Sequence, residues 1–408
     1  MARKVIHVAL NGVTGRMGYR QHLLRSLLAI REQGGLPLGD GTLLYPEPVL
    51  VGRSEERLRA IAERHGLSRW TTSLDEVLGD PAVEVYFDTQ VTSAREIALS
   101  RAIAAGKHVY TEKPVAATAA AAFALAEAAR AVGITHGVVQ DKLFLPGVIK
   151  LRRLVREGFF GRVLSVRLEF GYWVFEGDGV PAQRPSWNYR AEDGGGIVLD
   201  MFPHWHYLLE DLFGPVSAVY AQRAIHLPTR WDEAGEPYDV TADDAVFAVL
   251  EFAGGAIASV NSSWAVRVNR RELLEVQVDG THGSAVAGLR NCAVQHKVST
   301  PMPVWNPDLP DPLDYPSMWT DLPDNMVFEN GFKAQWELFL RAAALGEPFE
   351  WDLFAGARGV QLAELAMRSS DEGRRVEVPV VGDTVLGDTV LGDTVPGDTV
   401  PGNTGPEA

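Results

Sequence analysis

The chain has 408 residues, 46% hydrophobic and 22% charged, which is typical of a folded protein large enough for two domains. Its 38 Lys and Arg oppose 53 Asp and Glu, and the net charge of −15 argues against a nucleic-acid or anionic-membrane surface. The single cysteine, Cys292, excludes a disulfide within the chain and a cysteine-rich metal site. No apolar run approaches the roughly 18–20 residues of a membrane span. The basic N-terminus leads into a strand and not a signal sequence, so we expect a cytoplasmic protein.

A glycine motif follows the first predicted strand. Residues 5–10 are rich in β-branched side chains, and Gly12, Gly15 and Gly18 follow as GxxGxxG before leucines at helical spacing over residues 19–31. This order predicts a dinucleotide site, because the glycines allow close approach and the helix N-terminus attracts the pyrophosphate. We expect the cofactor to contact these glycines and three residues between them: Thr14, Arg16 and Met17.

The second predicted strand, residues 49–51, ends without the acidic residue that binds the adenosine ribose in NAD-specific proteins. Arg53 and Ser54 follow instead and suit a 2′-phosphate, so the sequence predicts NADP(H) as the preferred cofactor and NAD(H) as the alternative. Arg53 has a second interpretation, a solvated arginine at a strand end. Residues 34–48, before this strand, are predicted to form a loop longer than the usual roughly 2–6 residues.

Helices and strands then alternate to residue 140, which predicts a doubly wound parallel sheet. Ligands bind at the carboxyl ends of such strands. Thr89, Glu112, Lys113 and Gln140 fall at these ends and are expected at the cofactor site. Residues 1–145 therefore form the predicted dinucleotide-binding domain.

Beyond residue 145 successive strands with tight turns predict an α+β domain, residues 146–381, with an open, largely antiparallel sheet. Such a sheet packs helices on one face and leaves the other available to a second copy of the chain. Residues 382–408 repeat a five-residue pattern without an apolar face. We expect this tail to be disordered.

Three consecutive glycines, residues 194–196, precede a segment in which Asp200 and His204 lie four residues apart. In a helix the two side chains share one face, where a carboxylate orients an imidazole for acid/base chemistry near neutral pH. The glycines would let the backbone approach another molecule closely. A buried helix with a capping Asp and a core His is the alternative. The preceding loop is rich in aromatic residues, and its rings suit either stacking on a sugar or internal packing: Tyr172, Trp173, Phe175, Trp187 and Tyr189.

Three motifs together resemble one oxidoreductase family, over about residues 4–380. They are the glycine fingerprint, Glu112-Lys113-Pro114 after a strand, and the three glycines followed by Asp200-x-x-x-His204. The family is that of glucose-fructose oxidoreductase, inositol dehydrogenase and rhizopine catabolism proteins (Gfo/Idh/MocA). The resemblance implies a Rossmann domain, a substrate domain on an open sheet, and hydride transfer between a nicotinamide cofactor and a sugar, polyol or inositol-like substrate.

The resemblance also implies roles for individual residues. Lys113 and His204 would be the acid/base groups, and Asp200 would bind or orient the substrate. We expect the substrate to contact these three residues, with the rings of Trp187 and Tyr189 around it, and we expect no metal. A homodimer or homotetramer is implied. Two alternatives to a dehydrogenase stay open: a non-catalytic dinucleotide- or sugar-sensing protein, and an NAD-dependent glycosidase.

Overall fold

The computed structural model describes residues 2–171, 184–266, 272–300, 308 and 314–379. The predicted tail, residues 382–408, lies outside the described residues, as do Tyr172, Trp173 and Phe175 of the aromatic loop. Met1–Val378 form one compact unit that holds both of the larger sheets. Within the described ranges, no helix has the length and apolar character to cross a membrane.

The N-terminal half is organised on a seven-stranded sheet. The strands are β1 (Ala2–Asn11), β2 (Leu36–Pro37), β3 (Thr42–Val51), β4 (Trp70–Thr71), β5 (Val83–Asp88), β6 (His108–Thr111) and β7 (His136–Val138). Their order is β2-β3-β1-β5-β6-β7, with β4 also paired to β3, and all pairs are parallel except β2 with β3. The central strands are buried, as in a sheet covered on both faces. The predicted Rossmann fold is confirmed.

Helices join these strands, and the side chains of Ser54, Ser73 and Thr118 cap three of them. They are a π-helical segment Gly18–Leu28 continued by α1 (Ala29–Glu32), then α2 (Glu55–His65), α3 (Leu74–Gly79), α4 (Thr92–Ala104) and α5 (Ala119–Val132). Ser54 starts α2 by accepting a hydrogen bond from the backbone N–H of Arg57. The leucine spacing of residues 19–31 predicts a helix but does not distinguish its π-helical hydrogen bonding.

Residues 34–48 are not a loop. They form a hairpin in which β2 folds back on β3, and β3 pairs with β1 over ten residues. The prediction is wrong because Pro46 and Pro48 suggest a chain break. Both prolines lie between the stretches of β3 covered by β2 and β4, and at such an open edge a strand tolerates a missing N–H.

The second half is organised on a nine-stranded sheet, in the order β17-β16-β15-β14-β8-β13-β12-β9-β18. Its strands, with a separate β10–β11 hairpin, are β8 (Val163–Phe170), β9 (Val216–Ala224), β10 (Thr229–Trp231), β11 (Pro237–Asp239), β12 (Ala245–Phe252), β13 (Ile257–Ser263), β14 (Leu274–Gly280), β15 (Gly283–Ala287), β16 (Cys292–His296), β17 (Thr320–Asp321) and β18 (Val376–Glu377). Among the described strands of this sheet only β8 and β13 pair in parallel. The largely antiparallel sheet is therefore confirmed.

Four α-helices belong to this half: α6 (Pro146–Arg156), α7 (Ile197–Phe213), α8 (Gly331–Leu345) and α9 (Leu353–Glu372). Helices α7 and α9 pack against each other and against one face of the large sheet. The contact is close because a Cβ on Gly359 would lie only 3.2 Å from Pro203 Cα. Five short 3₁₀ turns complete the described elements: Asp141–Phe144, Ser186–Tyr189, Ala191–Asp193, Lys297–Ser299 and Tyr315–Met318.

Candidate active site

Lys113 follows β6 at the carboxyl edge of the first sheet and reaches helix α7 of the second half. Its ammonium Nζ donates to the Asp200 carboxylate Oδ1 at 2.6 Å and to the Asp200 backbone carbonyl at 2.9 Å. The structure thus brings two of the predicted site residues together from segments 87 residues apart.

A second cation, which the sequence analysis did not identify, holds the other oxygen of Asp200. Arg184 Nη1 donates to Asp200 Oδ2 at 2.7 Å, and its guanidinium lies 4.4 Å from the centre of the Trp264 ring. Burial alone would raise the pKa of Asp200, but the charges of Lys113 and Arg184 outweigh it and hold that pKa well below its ordinary value. Asp200 is therefore an ionised carboxylate at neutral pH.

The predicted Asp200–His204 pair does not form. His204 Nδ1 lies 2.7 Å from the Tyr207 hydroxyl instead. The two residues do share a helix, as predicted, but the cations of Lys113 and Arg184 bind the carboxylate more strongly than a neutral imidazole would. Tyr207 is the partner that sequence reasoning missed, although its i,i+3 spacing from His204 could have indicated it.

His204 is a neutral imidazole at physiological pH. Burial, and then the charges of Lys113, Lys142 and Arg184, hold its pKa well below the ordinary value of 6.5. Its Nε2 has no hydrogen-bond partner within the part of the chain that the structure describes. A neutral imidazole with one nitrogen free is able to accept a proton.

Two of the three glycines before α7, Gly195 and Gly196, lie close to other parts of the protein itself. Gly196 has φ of 117°, and a Cβ there would lie 2.9 Å from Asp243 Oδ1. A Cβ on Gly195 would lie 2.5 Å from the Trp187 carbonyl oxygen. Asp243 itself accepts the Val198 backbone N–H at 2.9 Å and so caps α7. The close approach expected at these glycines is therefore internal.

The two described aromatic candidates differ in exposure. Trp187 is 49% exposed, whereas Tyr189 is fully buried. The Tyr189 ring packs edge-on to Trp264, with centroids 5.4 Å apart, and under the Arg230 guanidinium at 4.0 Å. We correct the expectation that Tyr189 contacts substrate, because its ring has no accessible face. Trp187 alone of the two is open to a ligand.

The glycine loop between β1 and the first helix has the shape of a dinucleotide cradle. Gly12 has φ of 86°, and a Cβ there would lie 3.0 Å from the Thr89 carbonyl carbon. A Cβ on Gly18 would lie 2.7 Å from the Gly12 carbonyl oxygen, so these two positions require glycine. Gly15 and Arg16 face outward, with Thr14 and Met17 partly exposed beside them. The loop therefore fits a nicotinamide dinucleotide, which supplies the hydride acceptor when bound.

Arg53 and Ser54 both lie just after β3, but their side chains differ in whether they bind another described residue. The Ser54 hydroxyl accepts the Arg57 N–H at 3.4 Å as the cap of α2. Arg53 is exposed and forms no ion pair with any residue that the structure describes. A 2′-phosphate at this edge would meet the guanidinium first.

Glu112 and Gln140 follow β6 and β7, and both are buried. Glu112 Oε1 accepts a hydrogen bond from His22 Nε2 at 2.8 Å, and Oε2 accepts the Lys113 backbone N–H at 3.1 Å. Burial would raise the pKa of Glu112, but the hydrogen bond from His22 and nearby charges lower it overall. Gln140 is 2% exposed, and its backbone N–H donates to Gln335 at 2.7 Å. Both residues expected at the cofactor site are thus buried and bonded to other residues of the protein.

Two family models and several known proteins match this chain. Residues 6–139 match the family described as "Oxidoreductase family, NAD-binding Rossmann fold", and residues 148–286 match the Gfo/Idh/MocA C-terminal domain. The chain is 56% identical over 381 residues to the D-xylose dehydrogenase of Paenarthrobacter nicotinovorans, covering 92% of this chain and 98% of that protein.

This chain belongs to the Gfo/Idh/MocA oxidoreductase family. The resemblance inferred from the three motifs is confirmed. A more distant family member, the levoglucosan dehydrogenase of Pseudarthrobacter phenanthrenivorans, is 28% identical over 265 residues, 59% of this chain and 66% of that protein.

Solved structures of other proteins share the fold. The apo form of levoglucosan dehydrogenase superposes with a TM-score of 0.77 at 22% identity, covering 94% of this chain and 100% of that chain. Its complex with NADH gives 0.75 at 23% identity, covering 93% and 100%. At this level of identity the likeness concerns the fold alone.

The chemistry open to this Gfo/Idh/MocA site follows from its charges. A neutral imidazole, a lysine ammonium and an ionised carboxylate converge beside the carboxyl edge of a dinucleotide-binding sheet. Oxidation of an alcohol requires a base for the hydroxyl proton and a positive charge beside the oxygen. The site contains both, so as a family oxidoreductase the chain has the groups for hydride transfer to or from a CH–OH carbon.

Proposed function

We propose that this oxidoreductase is an aldose dehydrogenase that acts on D-xylose or a sugar of closely similar shape. The observation that carries the proposal is the 56% identity to a D-xylose dehydrogenase across 98% of that protein's length. The convergence of Lys113, Asp200 and His204 supports it, because these groups suit a polyhydroxylated, uncharged substrate. Trp187 offers an exposed ring to a sugar face.

In the proposed reaction His204 Nε2 accepts the proton of the substrate hydroxyl. Lys113 has three N–H donors, of which two bind Asp200. The third is directed to the substrate oxygen and stabilises the negative charge that develops on it. Asp200, with Arg184 behind it, fixes the lysine in position.

The test is to follow nicotinamide absorbance in the full chain with NAD+ or NADP+ and a panel of aldoses, inositols and levoglucosan. We expect reduced cofactor with D-xylose and weaker signals with sugars that differ at one carbon. Reduction with inositols but no aldose would contradict the proposed substrate. Cofactor binding without reduction by any member would contradict the proposed reaction and favour a sensing protein or a glycosidase.

We further propose that Arg53 gives the enzyme a preference for NADP(H) over NAD(H). The support is its exposed guanidinium after β3, with no acidic residue at the strand end itself, residues 51–54, to bind the ribose hydroxyls. Arg53→Asp should lower the NADPH-to-NADH affinity ratio by about tenfold or more, because the new carboxylate repels the 2′-phosphate. Arg57→Asp, on the first turn of α2, makes the same charge change away from the strand end and serves as the control. An unchanged ratio in Arg53→Asp would contradict the proposal.

We also propose that two copies of the chain associate through the uncovered face of the nine-stranded sheet, as a homodimer or within a homotetramer. Neighbouring strands carry exposed apolar residues on this face: Tyr220 at 39%, Phe247 at 45%, Val249 at 41% and Ile257 at 51%. A patch of this kind marks an interface.

Phe247→Glu should convert the assembly to monomers in light scattering, whereas Val298→Glu, off the sheet and 89% exposed, should not. A monomeric wild type, or an intact Phe247→Glu assembly, would contradict the proposal.

A further inference from the structure

Tyr207 connects His204 to a buried carboxylate that the proposed reaction does not use. The Tyr207 hydroxyl lies 2.7 Å from His204 Nδ1 and 3.4 Å from Asp141 Oδ1. It also accepts the backbone N–H of Lys142 at 3.2 Å. Exposure is 5% for Tyr207, 6% for His204 and 7% for Asp141, so the three groups meet away from bulk water.

The number of N–H and O–H protons determines which group donates and which accepts in each of these hydrogen bonds. The Lys142 N–H can only donate, and the Asp141 carboxylate, ion-paired to the Lys142 ammonium at 2.6 Å, can only accept. All contacts are satisfied when Tyr207 donates to Asp141 and His204 Nδ1–H donates to Tyr207. In the other tautomer the single phenol proton would go to His204, and Asp141 Oδ1 would lose its donor. The satisfied arrangement leaves His204 Nε2 unprotonated, which is the form a base needs.

A positive charge on His204 would be costly at this place. Among the described residues, the charged and titratable groups around it are Lys113, Asp141, Lys142, Arg184, Asp200 and Tyr207. Asp200 is already paired with two of the three cations. Burial and the same cations hold the pKa of His204 well below its ordinary value. A proton that arrives at Nε2 is therefore best tolerated if another leaves from Nδ1.

We propose that Tyr207 and Asp141 complete a proton path that begins at His204. As the substrate carbon gives its hydride to the oxidised nicotinamide, the hydroxyl proton passes to His204 Nε2. The Nδ1 proton passes to the Tyr207 oxygen, and the phenol proton passes to Asp141 Oδ1. The substrate C–H and O–H bonds break, its C=O bond forms, and the carboxyl group of Asp141 holds the released proton. His204 and Tyr207 stay neutral throughout.

This inference rests on the proposed role of His204 as the base, and Tyr207 and Asp141 act through His204 without touching substrate. Its first test does not depend on turnover. In the full chain labelled with 15N-histidine, NMR should show His204 protonated at Nδ1, and Tyr207→Phe should shift the population towards the Nε2–H form. A wild-type His204 protonated at Nε2 would overturn the inference, whatever the substrate is.

The second test measures a single turnover with D-xylose in mixtures of H₂O and D₂O. The wild-type rate should fall with D₂O fraction along a curve, because several protons move together, and in Tyr207→Phe and Asp141→Asn along a line. Both variants should lose about 10²-fold in rate, the range for removing acid/base assistance. Cofactor affinity should stay unchanged.

Tyr110→Phe is the matched control, since Tyr110 is also fully buried and its hydroxyl has no hydrogen-bond partner among the described residues. It should retain the wild-type rate and the curved isotope dependence. A rate in Tyr207→Phe within threefold of the wild type would overturn the inference, as would a loss of rate with the curve unchanged. Because Asp141→Asn keeps the tyrosine, it tests the same proton path if Tyr207→Phe folds poorly. Absence of wild-type turnover instead counts against the proposed function, and the NMR result then decides the proton path.

Discussion

Two buried histidines, one in each half of the molecule, show how differently the same side chain is used. His22 is fully buried with both ring nitrogens bound: the Trp336 indole donates to Nδ1 at 3.0 Å, and Nε2 donates to Glu112 at 2.8 Å. His204 is almost as buried, yet among the described residues only its Nδ1 has a partner. The two hydrogen bonds of His22 hold it in one tautomer as part of the scaffold. His204 has one ring nitrogen, Nε2, that is able to accept a proton. The number of bound nitrogens, and not burial, separates the two roles.

The largest effect that would test this comparison is on catalysis. His204→Ala should lower the rate of hydride transfer by about 10²–10⁴-fold, because the base is lost. Cofactor affinity, measured by quenching of tryptophan fluorescence, should stay near the wild-type value. A variant with near-normal turnover would show that His204 is not the base.

His22→Ala should act on stability instead. It leaves the Trp336 N–H and the Glu112 carboxylate without their buried partner, which should lower the free energy of unfolding by about 2–4 kcal/mol in urea titrations. The folded fraction should keep its rate of hydride transfer within about tenfold. His226→Ala, at an exposed position, is the control and should change neither quantity. If His22→Ala lost catalysis as severely as His204→Ala, the division between scaffold and chemistry would fail.

A third histidine gives the smallest expected effect. His206 is 3% exposed, its Nδ1 has no partner within the described part of the chain, and burial lowers its pKa despite the nearby Glu210 charge. The unfolded chain therefore binds protons below about pH 6.5 that the folded chain does not, and stability should fall as the pH decreases from about 7 to about 5.

A variant of His206 measures how much this residue contributes to the pH dependence of the free energy of unfolding. His206→Gln should make the free energy of unfolding less dependent on pH by up to about 1.4 kcal/mol per pH unit. His226→Gln, at the exposed position, should leave the dependence unchanged. An equal pH dependence in wild type and His206→Gln would mean that His206 has the same pKa in the folded and the unfolded chain.

The sequence predicts the scaffold better than it predicts the contacts of the site. Buried β-branched strands and glycine turns act locally, so the parallel sheet of the Rossmann half and the largely antiparallel sheet of the second half are correctly predicted. The hairpin of residues 34–48 is missed because two edge prolines have the composition of a loop. The strand β16 (Cys292–His296) has only five residues, which mix apolar and polar side chains, so its sequence carries little strand signal of its own.

Motifs identify Lys113, Asp200 and His204, but they do not identify the partners of these residues. Arg184 reaches Asp200 across 16 residues, and Asp141 reaches Tyr207 across 66, so neither contact leaves a periodic signal. Helical spacing predicts an Asp200–His204 pair because it reports a shared face only. Tertiary packing decides which of several charged groups binds a given carboxylate.

The burial of Cys292 in β16 simplifies labelling of the protein with thiol reagents. The thiol is 1% exposed, and burial raises its pKa to about 12, so it is almost entirely protonated at neutral pH and unreactive towards maleimides. A cysteine introduced at the exposed position of Trp187 would therefore be labelled selectively without first removing a native thiol. A fluorophore attached there would test, independently of turnover, the proposal that the sugar binds beside this position.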